Sequence, residues 1–148
     1  MKKYLSFALA AVLSAAFCAT AFAAEDNRRV KVETHIPPTY NVTIPADTKV
    51  ISKAEDTSFG AITLTDAQLD PGKSVNVTLK SSGTLENVND TSKKLAYTIR
   101  SGKSAFTSAS YKKAGESTAL TIHIEKDDWA KAYAGDYADT VEFTISYK

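Results

Sequence analysis

At 148 residues, with 43% apolar side chains, the chain is long enough to bury one core, too short for two ordinary domains and too apolar to be disordered. Its 18 basic and 17 acidic residues are interspersed, which excludes the clustered phosphate-neutralising patch that nucleic acid requires. A single cysteine excludes a disulfide framework within the chain.

Residues 1–23 open with Lys2 and Lys3, continue as an apolar run from Leu5 to Ala16 and end in Ala21-Phe22-Ala23. A charged start, a short apolar core and a small-x-small site read as a secretory signal peptide, and the run falls short of the ~20 residues that span a bilayer. Cleavage is expected after Ala23, with Ala24 as the alternative. Cys18 lies in this segment and follows Phe17, where a lipid-modified cysteine would follow a small residue, so a lipoprotein is not expected. Removal takes the basic residues from 18 to 16 against 17 acids, a formal charge of −1, and leaves no thiol.

Residues 24–38 read as an N-terminal arm. In "RVKVETHI", Val30, Val32, Thr34 and Ile36 share one face and Arg29, Lys31, Glu33 and His35 the other, the two-residue period of a half-buried strand. Pro37 and Pro38 stop it, since neither can donate a ladder hydrogen bond. The domain proper is expected over 39–148. "TYNVTI" restarts the alternation until Pro45, and residues 58–65, 74–80 and 95–101 repeat it with Ile62/Leu64, Val75/Val77/Leu79 and Leu95/Tyr97/Ile99. Asp70-Pro71-Gly72 predicts a tight turn, and "SSGTLENVNDTSKK" has the composition of a loop.

"TALTIHIE" alternates Leu120, Ile122 and Ile124 against Thr121, His123 and Glu125. One helical turn is predicted over "WAKAY", capped by Asp127 or Asp128 and closed by Gly135. The final strand alternates Val141, Phe143, Ile145 and Tyr147 against Glu142, Thr144, Ser146 and Lys148. About seven strands with one apolar face each bury those faces most economically in two packed sheets. The expectation is an all-β, immunoglobulin-like Greek-key sandwich, with a jelly roll or small barrel as the alternative. Trp129 reads as a plug at one end of the sandwich in preference to a sugar platform.

The chemistry is mostly negative. His35 and His123 occupy polar-facing strand positions without a partner at metal-ligand spacing, which predicts solvent-facing histidines rather than catalytic ones. Neither a Gly-x-Ser-x-Gly elbow nor a phosphate-cradling glycine loop occurs, so no enzyme and no cofactor are expected. Asp127, Asp128, Asp136 and Asp139 are the only calcium candidates, and they are weak ones because their spacing lacks the glycine and terminal glutamate of a calcium loop. Asn41, Asn76 and Asn89 precede x-Thr, which reflects threonine-rich strands.

The two ends carry a family likeness. "AGDYADTVEFTISYK", with Gly135 fourteenth from the end, alternating Val141, Phe143 and Ile145, and a penultimate Tyr147, resembles the terminal strand of chaperone-usher pilus subunits and of spore-coat-U-like secreted proteins. "RVKVETHIPP" is similar to the donor strand of cysteine-free adhesive pilins. The resemblance implies a sandwich lacking its last strand, whose gap is filled first by a periplasmic chaperone and then by the next subunit's arm. Val30, Val32, Thr34 and Ile36 would then be donor residues, and Val141, Phe143, Ile145 and Tyr147 would line the receiving edge. The function implied is an exported structural or adhesive subunit of a pilus or surface layer. The alternative is a self-complete monomeric secreted domain that binds a glycan, protein or cell-surface partner, its own N-terminal strand folded into its own sheet.

Overall fold

The computed structural model describes residues 29–148. The expected signal peptide, with Cys18 and the expected cleavage positions Ala23 and Ala24, lies outside the described residues. The chain divides into two units, one ending at His35 and the other running from Ile36 to Lys148.

In the first unit, Arg29–His35 is exposed at every residue and forms no ladder. Lys31 and Glu33, two apart on the polar face, form an ion pair. The strand expected here is not formed among the described residues. Alternation prepares one face of a strand, but a strand exists only when its N–H and C=O groups meet a neighbouring backbone.

The second unit holds eleven strands and one short helix, more strands than the seven or so expected because long segments are broken. One sheet runs β1 (Thr39–Thr43), β2 (Asp56–Gln68), β9 (Ser117–His123), β6 (Thr98–Ser101) and β7 (Ser104–Ala105). A second runs β11 (Glu142–Tyr147), β3 (Val75–Lys80) and β8 (Ser108–Tyr111), and a third, small sheet runs β10 (Tyr137–Ala138), β4 (Thr84–Asn87) and β5 (Lys94–Ala96). Every pairing is antiparallel and no sheet closes on itself. The result is the β-sandwich expected, not a barrel. Its core joins Ile62, Leu64, Leu120 and Ile122 from the first sheet to Val75 and Val77 from the second.

Two register shifts keep the long strand β2 facing inward over its whole length. Thr57 and Phe59 point inward at odd positions, whereas Ile62 and Leu64 are buried at even ones. The change of parity is absorbed between Ser58 and Gly60 in the pairing with β9, where an extra residue bends the strand. Gly60 has φ +107, a conformation that disfavours a side chain. A second shift, between Asn41 and Val42 in the pairing of β1 with β2, lets Ala67 turn back toward the core.

At one side of the sandwich the chain itself passes between sheets. Phe106 N–H bonds the Ile99 carbonyl and Leu79 N–H bonds that of Thr107, so β7 and β8 form one strand that changes partners. The opposite side has no such closure. There β1 and β11 are the border strands of their sheets, with a Tyr40–Tyr147 stack at 5.9 Å between them and a Phe59–Phe143 contact at 6.2 Å joining β2 to β11.

Three local expectations need correction. The helix α1 (Lys126–Lys131) is capped by the backbone of Glu125 without a side-chain bond, and Asp127 and Asp128 lie in its first turn, where they favour the positive end of the helix dipole. Gly135 does not close that helix, which ends at Ala132; its φ of +139 serves instead to approach Asn87. The segment read as a loop contains β4, whose Leu85 and Asn87 turn into the fold. The Asp70 turn is formed as expected, with Lys73 N–H bonded to the Asp70 carbonyl at 3.0 Å.

Candidate functional site: an open sheet edge

The terminal strand β11 pairs with β3 along its full length, from Glu142 against Lys80 to Tyr147 against Val75. Lys148 and Ser74 exchange both backbone bonds, at 3.0 and 2.8 Å. In an antiparallel pair such exchange recurs at every second residue, so Glu142, Thr144 and Ser146 turn their backbone groups to β3. Phe143, Ile145 and Tyr147 therefore turn theirs to the other side, where no strand lies among the described residues. Phe143 and Tyr147 pack against the core, and the exposed Ile145 shares their face of the strand. One edge thus presents unpaired N–H and C=O groups and apolar side chains together, the arrangement that accepts an added strand.

Burial confirms the asymmetry. Val75 and Val77 on β3 are fully buried, yet their cross-strand partners Tyr147 and Ile145 are not, and Ile145 is 38% exposed. Near the start of β11 a groove of about 500 Å³ is lined by Val141 and Phe143 together with Ile44, Pro45 and Val50. Phe59 and the buried Ile99 and Ile122 form its floor, and Asp47, Thr48, Asp139 and Thr140 add polar groups to its lining.

β11 is clamped at both ends. At its C-terminal end the Tyr147 hydroxyl donates to Asp70 Oδ2 and accepts from the Asp70 N–H, each at 2.9 Å. At its N-terminal end Asp139 accepts from the Tyr97 hydroxyl at 2.6 Å and from Ser82 Oγ at 2.7 Å. Burial, and after it the bond to Asp139, pushes the Tyr97 phenol up to about 12. Burial alone would raise the Asp139 carboxyl, but bonds from Tyr97, Ser82 and the Thr140 N–H outweigh it and hold the group below its ordinary value.

The structure brings together only part of the predicted site. Phe143, Ile145 and Tyr147 lie on β11 as expected, whereas Val141 precedes the strand and still lines the groove. Gly135 lies before β10, away from the terminal strand. Val30 and Val32 are 84% and 91% exposed, and Thr34 and Ile36 are exposed too. The opposite wall, residues 44–50, and the floor were missed by sequence reasoning because they come from elements far apart in the chain.

The acidic residues do not assemble into a metal centre. Asp127 and Asp128 sit on α1, Asp136 and Asp139 flank β10, and no group of three or more metal-ligating side chains forms among the described residues. The expectation of a solvent-facing His123 is overturned. The residue is 9% exposed, its Nδ1 2.7 Å from Asp56 Oδ1 and its Nε2 3.1 Å from Glu125 Oε1. At the end of β9 both Ile122 and Ile124 are buried as well, because neighbouring segments cover both faces there. Trp129 is half-buried, its indole N–H bonded to the Ala54 carbonyl at 2.8 Å.

No family model and no curated protein matches this chain. Among solved structures it is similar, at 14% identity and a TM-score of 0.48, to a chaperone–tip adhesin complex of CFA/I fimbriae biogenesis. That likeness covers 72% of this chain and 42% of the other, so the chain spans less than half the length of the one it resembles.

Proposed function

We propose that this protein is an exported surface subunit that assembles by strand addition, the N-terminal arm of one copy entering the groove beside β11 of the next. The observation that carries the reading is the border strand itself, with Ile145 exposed, outward backbone groups unpaired among the described residues, and a groove opening at its Phe143 end. The arm supplies the complement in sequence: an alternating face of Val30, Val32, Thr34 and Ile36 on a segment without a ladder of its own. Before assembly a periplasmic chaperone would occupy the same edge, and the assembled form would be a pilus or surface layer. Catalysis has no part in this reading.

The test is size analysis by light scattering of mature protein, residues 24–148, beside a version lacking residues 28–36. Concentration-dependent chains from the former, and a folded short species from the latter, are expected. A full-length monomer that unfolds when truncated would overturn the reading, because the arm would then belong to its own sheet and the protein would be a self-complete binding domain.

A further inference from the structure

The groove does not end where β11 begins. A second cavity, of about 650 Å³, adjoins it and shares Asp47, Thr48, Val50, Leu85 and Asp139 with it. Its remaining apolar walls are Leu95, Tyr137 and the indole of Trp129. Because the indole N–H is already committed to Ala54, the ring has only its apolar surface left to offer. Strand addition along Phe143, Ile145 and Tyr147 leaves this cavity unexplained.

Register supplies an occupant. Every ladder in the fold is antiparallel, the more stable arrangement per residue, and directly opposed residues of such a pair place their side chains on one face. The alignment that sets all four inward residues of the arm against all four of the terminal segment opposes Val30 to Tyr147, Val32 to Ile145, Thr34 to Phe143 and Ile36 to Val141. Continued by two residues, it brings Pro38 opposite Asp139, at the junction of the two cavities. Proline has no N–H, so the ladder ends there, and its fixed φ keeps the chain extended. A stiff apolar segment meeting an aromatic-lined recess is the pairing by which proline-rich segments are bound.

We infer that the Trp129 cavity receives Pro37 and Pro38 of a second copy, locking the incoming arm in a single register; the inference rests on the strand-addition reading. Thr34, opposed to Phe143, leaves the arm's apolar face incomplete, and the proline seat compensates at its end.

The experiment uses the mature protein, held below the concentration at which it self-associates. It is titrated with a synthetic peptide of residues 28–38 and with the same peptide carrying Pro37→Ala and Pro38→Ala. Trp129 is the only tryptophan, so its emission reports on the cavity alone, and affinity is measured in parallel. Both peptides are expected to bind, with only the native one shifting the emission and the alanine peptide about tenfold weaker, since prolines enter already ordered. Equal affinities with the same emission response would overturn the proline seat and leave strand addition standing. Binding by neither peptide would overturn strand addition and the proline seat with it.

Discussion

Gly135 and His123 show how single positions carry the end of the sandwich beyond β9. A Cβ on Gly135 would lie 2.5 Å from Asn87 Nδ2, and Asn87 is buried with its Oδ1 accepting the N–H groups of Asn89 and Asp90. Gly135→Ala must therefore displace a turn-forming side chain and hold alanine at positive φ, a cost of more than about 1 kcal/mol in chemical unfolding. A stability equal to wild type would contradict the close approach. His123 contacts a carboxylate at each ring nitrogen, and both contacts are hydrogen bonds only when both nitrogens are protonated. The bond to Asp56 raises its pKa; burial opposes, Glu125 adds to the rise, and Arg100, 3.3 Å from Glu125, works against it. A raised folded-state value means that the stabilisation is complete below the unfolded value of ~6.5 and is lost as pH rises through the folded value. Urea midpoints are predicted to fall between about pH 5.5 and about pH 9, and His123→Gln to flatten that slope. An unchanged slope in the variant would place the titration elsewhere.

At the scale of elements, β2 and β11 have opposite surroundings, and substitution should separate them. Leu64→Ala, in the closed core, is expected to cost about 2–5 kcal/mol. Ile145→Ala, on the open edge, should cost less than about 1 kcal/mol in the monomer while weakening assembly, because its burial comes from the strand that is added. A cost at Ile145 as large as that at Leu64, in unassembled protein, would mean that the edge is already covered. Most strands were legible from period alone: the alternations around Ile62/Leu64, Val75/Val77, Leu120/Ile122 and Phe143/Ile145 all appear as paired strands. β4 was not, because Ser82, Gly83 and Asn87 are turn residues by composition and its pairing with β5 and β10 is a tertiary fact. His123 was misread for a related reason, since alternation assumes one wet face and β9 ends where both faces are covered. The terminal strand was legible in Phe143, Ile145 and Tyr147, but the groove was not, as its far wall and floor converge from four separate parts of the chain.

The second unit is a sandwich closed on one side by a strand that changes sheets and, among the described residues, open on the other between β1 and β11. Two hydrogen-bonded clamps, Tyr147 with Asp70 and Asp139 with Tyr97 and Ser82, hold β11 in position at the open side. The edge of β11 is therefore preformed, and under the proposed reading the ordering cost of strand addition falls to that of the arm alone. The same edge, left uncovered, is an aggregation hazard, which under the proposed reading is the reason for a transient occupant before assembly.

Amide hydrogen exchange at Phe143, Ile145 and Tyr147 tests the open edge most directly, measured in mature protein at low and high concentration and in the version lacking residues 28–36. The account predicts fast exchange at these three residues in the truncated protein and in the dilute mature protein, beside slow exchange at Val75 and Val77, and protection that grows as mature protein assembles. Slow exchange at all three in the truncated protein, at every concentration, would show that the edge is already paired and would contradict the account.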